Sequence, residues 1–102
     1  MEKRKPAYLL KTIQAQMVDV PSLKLTNSAR NSILFELAWE PEDALKVVQS
    51  LRSKDFYKSM TSVRNHRVWQ DLYRAAWRGT NIYLKFQRYE DAYYFTVSFK
   101  EL

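Results

Sequence analysis

Cysteine is absent from this 102-residue chain, and glycine and histidine occur once each. Without Cys there is no disulfide framework, no thiolate zinc site and no cysteine nucleophile. A single His excludes an HExxH metal site and any two-histidine acid–base pair. The lone Gly, where average usage predicts about seven, leaves no glycine-rich loop to cradle a nucleotide's phosphates. Long apolar runs are missing too, since none reaches the roughly 18 residues that span a bilayer. The opening MEKRKPAYLL is basic but lacks the apolar stretch of a signal peptide. These scarcities remove most familiar small-enzyme chemistries and predict a cytoplasmic protein with no membrane attachment.

What is present is positive charge and aromatic surface. Seventeen Lys and Arg face 11 Asp and Glu, a net charge of +6, and an apolar share of 46% suffices for the core of a single domain spanning residues 1–102. The charge is concentrated. Ten basic residues fall between Lys46 and Arg88 against only Asp55 and Asp71, while Glu36, Glu40, Glu42 and Asp43 form an acidic cluster just before them. Twelve of the fifteen aromatics lie between Phe56 and Phe99. Cations meet phosphates and rings stack on bases, so this interleaving suits a nucleic-acid surface. It equally suits a β-sheet with an aromatic inner face and a Lys/Arg-rich outer one.

The first half has helical spacing. Leu9, Ile13 and Met17, with Leu10 alongside, mark a buried stripe that Val20-Pro21 should end. Ser22 to Thr26 alternates as a short strand would. Thr26, Asn27 or Ser28 can cap a second helix carrying Ala29, Ile33 and Leu37 on one face. Pro41, followed by Glu42 and Asp43, opens a third helix with Ala44, Val48 and Leu51 buried. The second half switches to period two. Ile82, Leu84 and Phe86 alternate with Tyr83, Lys85 and Gln87, and Tyr93, Phe95, Val97 and Phe99 alternate with Tyr94, Thr96, Ser98 and Lys100. Turns are predicted at Arg78 to Asn81 and Arg88 to Ala92. With Asp55–Thr61 and Arg67–Trp77 as the remaining strands, the chain predicts an α+β domain of three helices and a four-stranded antiparallel sheet.

Parity places Tyr83 and Lys85 away from the core and puts Ser98 and Lys100 on that same outer face. It does not decide Lys58 or Gln70, whose neighbours two residues away are apolar. His66, within Arg64-Asn65-His66-Arg67, reads as a loop residue.

Four blocks in order carry a resemblance: Met1-Glu2-Lys3-Arg4; Asp55-Phe56-Tyr57-Lys58-Ser59-Met60-Thr61; His66-x-x-Trp69-Gln70-Asp71-x-Tyr73-Arg74; and Tyr83-Leu84-Lys85 followed by Val97-Ser98-Phe99-Lys100-Glu101. The sequence resembles the MqsR (motility quorum-sensing regulator) family of bacterial toxins, messenger-RNA interferases of type II toxin–antitoxin pairs. Residues 5–50 match mostly in helical pattern, and Ala75 to Asn81 departs from the family's usual versions. The resemblance implies a RelE-like fold, with about three helices packed on one face of a mostly antiparallel sheet, and ribosome-independent endoribonuclease activity. The family's active-site residues fall on Lys58, Gln70, Tyr83 and Lys100, with Lys85, Arg74, Arg67 and His66 as the RNA-binding set. The RNA's 2′-hydroxyl would serve as nucleophile, giving a 2′,3′-cyclic phosphate and a 5′-hydroxyl with no metal or other cofactor. The implied partners are an mRNA substrate and a cognate antitoxin with zinc-binding and helix-turn-helix parts, through which alone the toxin would reach DNA. Any zinc in the complex would belong to that partner. A non-catalytic RNA- or DNA-binding module is the alternative, and a purely protein-binding domain a third.

Overall fold

The single glycine is spent on a hairpin. Trp77 pairs with Thr80, and between them Arg78 and Gly79 both have positive φ, 50° and 81°. That is the two-residue turn whose twist matches the flanking strands, and glycine takes its second position without strain. Arg78 occupies the less comfortable first position, and its guanidinium meets Asp43 at 3.1 Å. The structure, a computed structural model, describes residues 1–101.

Three helices are present: α1 (Leu10–Gln16), α2 (Asn27–Asn31), running on into a π-helical stretch Ser32–Leu37, and α3 (Pro41–Ser50). The Thr26 hydroxyl caps α2 by accepting from the Ala29 N–H at 3.1 Å. Pro41 opens α3, and the Asp43 carboxylate reaches back to the Glu40 N–H at 3.0 Å. Two expectations shift here. Helix α1 ends at Gln16, before Val20-Pro21, and Leu9 is its exposed N-cap rather than part of the buried stripe. Ser22–Thr26 is not a strand; only Leu25 bridges, in parallel, to Val97. Val97 donates to the Lys24 carbonyl and accepts from the Thr26 N–H, so this segment covers the outer edge of the sheet without adding a strand to it.

The sheet has five strands in sequential order: β1 (Glu2–Lys3), β2 (Phe56–Thr61), β3 (Trp69–Trp77), β4 (Thr80–Gln87) and β5 (Thr96–Glu101), each antiparallel to its neighbour. The α+β class holds, with one strand more than the four expected, because the N-terminal residues pair with β2. Strand β5 begins at Thr96 rather than Tyr93. The Gln16 side chain donates to the Tyr93 carbonyl and accepts from the Phe95 N–H, holding the chain ahead of β5 from the helical side. Tyr93 is 86% exposed instead of joining Phe95, Val97 and Phe99 in the core. That core lies between one sheet face (Tyr73, Ile82, Leu84, Phe86, Val97, Phe99) and the apolar sides of the helices, Ile13, Met17, Ala29, Ile33, Ala44, Val47 and Val48 among them.

One carboxylate is sealed inside. Asp71, fully buried, accepts from the Ala7 and Tyr8 N–H groups, both at 2.9 Å, and from the Ser59 hydroxyl at 2.6 Å. It thereby ties the segment leading into α1 to β2 and β3. Asp71→Ala leaves three donors unsatisfied, and we expect it to lower the unfolding free energy by about 3 kcal/mol in urea titration; a loss under about 1 kcal/mol would show that water replaces the carboxylate.

Neighbouring Tyr73 has its phenol pushed up to about 12, first by burial and then by the negative charges of Asp71 and Asp55. A raised phenol favours the neutral form in the folded state, so its contribution is complete below the ordinary value of 10.0 and disappears as pH climbs to about 12. Denaturant midpoints should therefore fall across that interval. Tyr73→Phe should flatten the fall, and an equally steep decline in that variant would assign the effect elsewhere.

Candidate active site

The sheet face turned away from the core is organised in transverse rows, because residues directly opposite in an antiparallel ladder share a face. Arg74, Tyr83 and Lys100 form the first row, Lys58, Leu72, Lys85 and Ser98 the second, and Met60, Gln70, Gln87 and Thr96 the third. Tyr83 and Lys100 are thus direct cross-strand partners, on the face that strand parity predicts. All four expected catalytic residues, Lys58, Gln70, Tyr83 and Lys100, lie on this face.

Lys58 arrives there by an irregularity. Phe56 points inward, where its ring meets Tyr73 edge-on at 5.6 Å, and Ser59 points inward to Asp71. Inward positions three residues apart cannot both be met by strict alternation. The register shifts between Phe56 and Lys58, so Tyr57 is an inserted residue, a β-bulge. Tyr57 and Lys58 then both reach the outer face. There the Lys58 ammonium lies 3.3 Å from Glu2 of β1 and 5.2 Å from the Tyr57 ring. Its side chain is only 21% exposed.

Gln70 stands apart. Its row is four residues along β3 from Arg74, which separates it from the Tyr83–Lys100 pair by about 13 Å. Its amide donates to the Gln87 side-chain carbonyl at 2.6 Å, and Gln87 in turn donates to the Tyr89 hydroxyl at 3.3 Å. Lys58, three strands away from Lys100, is set apart from it by a comparable backbone distance, and long side chains close part of such separations.

Two open clefts run over the face. One, of ≈ 490 Å³, is lined by Tyr83, Lys85 and Lys100, with Asn31, Ser32 and Glu36 of the helical stretch as its wall. The second, of ≈ 460 Å³, is lined by Gln70, Gln87 and Thr96, with Arg64 and Asn65 of the β2–β3 loop at its end. Lys85 and Ser98 line both, so the clefts form a single trough with Lys85 at its middle. His66 and Arg67 are exposed in the same loop, and Arg74 is exposed at the other end of the face. Among the described residues no three His, Cys, Asp or Glu side chains converge as a metal site. The trough offers ammonium and guanidinium groups, one phenol and neutral amides. Such a set binds anions, stabilises developing negative charge and exchanges protons.

Two neighbours of the expected residues, Glu2 and Tyr57, stand in the blocks that carry the resemblance, but the sequence assigns neither a place beside the site. Tyr57 carried a faint signal, since the adjacent aromatics Phe56-Tyr57 interrupt period two.

The mRNA interferase toxin MqsR of Escherichia coli (strain K12) is 36% identical over 101 residues, covering 99% of this chain and 99% of that protein. The family model described as "Motility quorum-sensing regulator, toxin of MqsA" matches residues 5–101. The chain belongs to the MqsR toxin family.

Proposed function

We propose that this protein is the toxin of a type II toxin–antitoxin pair and cleaves mRNA as a ribosome-independent endoribonuclease, with Tyr83, Lys100 and Lys58 at the reacting phosphate. The observation that carries this reading is the direct pairing of Tyr83 with Lys100 in a cationic cleft, in a member of a family that includes an mRNA interferase.

RNA brings its own nucleophile. The 2′-oxygen attacks the adjacent phosphorus in line, a new O2′–P bond forms and the P–O5′ bond breaks. The products are a 2′,3′-cyclic phosphate and a 5′-hydroxyl. The 2′-hydroxyl proton must leave and the departing 5′-oxygen must receive one. Tyr83 and the ammonium groups beside it are the groups in reach for both transfers. Lys58, Lys100 and the central Lys85 oppose the charge that accumulates on the phosphorane oxygens, in a trough where donors are fixed before the substrate arrives. Gln70, its amide donating to Gln87, holds phosphate or base oxygens by hydrogen bonds without carrying charge, and Arg74, Arg67 and His66 engage the RNA at the two ends.

The family description, toxin of MqsA, implies an antitoxin partner. We infer a partner with zinc-binding and helix-turn-helix parts, which would hold any zinc and make the operator contacts in the complex. The mRNA substrate sets the proposed reaction in the cytoplasm; no helix among the described residues is long and apolar enough to cross a membrane.

Lys58→Ala and Lys100→Ala should each abolish cleavage of a defined RNA and toxicity on expression, with unchanged melting. Tyr83→Phe should reduce the rate by about 10²-fold or more. Full activity in both lysine variants would sink the assignment, and a gel in which wild-type protein shifts RNA but leaves it intact would establish a binder instead. Because the cations here are side chains, cleavage should survive EDTA; a rate that collapses in EDTA and returns with Mg²⁺ would overturn the metal-free route.

A further inference from the structure

Tyr57 has no part in the scheme above, yet the fold goes out of its way to display it. Phe56 supplies the core contact on this strand, and the bulge leaves Tyr57 as the extra residue, half-buried on the outer face. Its ring stacks on that of Tyr83, centroids 6.1 Å apart and planes 29° from parallel. The Arg74 guanidinium lies 3.5 Å from the Tyr57 ring centroid and 5.8 Å from that of Tyr83. Lys58 and Arg4 approach the same Tyr57 ring at 5.2 and 5.9 Å. Cations gather here around one ring, and Arg74, exposed, has no carboxylate partner among the described residues.

We propose that Tyr57 and Arg74 form a nucleobase-stacking subsite, which holds the base of a nucleotide next to the scissile phosphate. The proposal rests on the reading of Tyr83, Lys58 and Lys100 as the reacting centre. A guanidinium laid over a phenol ring at 3.5 Å continues the stack outward, and its far side, on a cationic face, is a surface on which an unpaired base stacks. Neither group reads a base edge when it stacks, so the subsite supplies affinity and placement and tolerates any base. Placement matters most next to Tyr83. A base clamped on this stack fixes its ribose, and with it the line from 2′-oxygen to phosphorus that in-line attack requires. The bulge is therefore a binding device as well as the means of turning Lys58 outward.

The test uses the full chain, one short RNA containing a mapped cleavage site, and versions of that RNA with an abasic ribose at each nucleotide flanking the cut. Tyr57→Leu should lower kcat/KM on intact RNA by about 10- to 100-fold, and Tyr57→Phe, which keeps the ring, by less than about threefold. Arg74→Gln, at an exposed position, should give a loss at the same nucleotide and guards against a leucine variant that folds poorly. On the RNA that is abasic at the stacked nucleotide, wild type and Tyr57→Leu should cleave at nearly equal rates, because that contact is already missing. A leucine defect of equal size on every abasic RNA would mean that the ring only supports Tyr83, and overturns the subsite, as would undiminished cleavage of intact RNA. Binding of a 2′-deoxy, uncleavable version is measured in parallel. A Tyr57- and base-dependent affinity with no cutting by wild type would uphold the subsite while refuting the nuclease.

Discussion

The arrangement of this molecule depends on a buried carboxylate that, among the described residues, no cation pairs with. The Asp71 oxygens are met by hydrogen bonds, two from the backbone amides of residues 7 and 8 and one from Ser59. A charge in apolar surroundings is tolerated only when its oxygens are satisfied. The three donors are therefore locked in place together, although they come from segments more than fifty residues apart in sequence. That lock brings the N-terminal segment against the sheet, sets Ser59 inward opposite Asp71, and fixes the register of β2 on β3. With Phe56 also held inward by Tyr73, the strand must absorb one additional residue between them. The bulge, and so the outward aim of Lys58, is a consequence of what happens on the opposite face. Function on one side of this sheet is positioned by a hydrogen-bond network on the other.

The outer face shows the converse economy. Lys58, Arg74, Lys85 and Lys100 share a surface on which Glu2 meets Lys58 and Glu36 stands at the rim. Like charges held together by a rigid sheet repel, and the net charge of +6 leaves little compensation within the chain. A polyanion relieves that repulsion when it binds and releases its own counterions as it does so. Aromatic stacking then adds a contact that salt screens poorly. The two together would let a shallow trough hold an extended strand.

How much of this is legible in the sequence follows from the range of the interactions involved. Tyr83 and Lys100 could be placed together because each sits in a clean alternation, and parity is a local property. Thr26 as a cap, Pro41 as a first-turn residue and the Arg78-Gly79 turn are local too, and all three occur as expected. Lys58 resisted the same treatment because its orientation is decided by Asp71 and Tyr73, partners on another strand. The misplaced Tyr93 has a similar origin: its alternation is genuine, but the chain there is held by a glutamine from α1, distant in sequence. The short β1 strand has too few residues to show any period. Family resemblance supplied what parity could not, naming Lys58 and Gln70.

The spacing of the rows bears on how a polymer could be read as much as on where it could be cut. The face has a Tyr83–Lys100 end and a Gln70–Gln87 end, with Lys85 lining the space between. Adjacent nucleotides of an extended strand repeat their phosphates and bases, so a row of cations flanked by stacking rings and neutral amides matches more than one of them at once. The scarcities that opened the sequence then have a common sense. The proposed reaction, in which the substrate supplies the nucleophile, needs neither cysteine nor a pair of histidines. It needs a rigid surface long enough to keep that nucleophile aligned, and a sheet braced from behind by a sealed aspartate is such a surface.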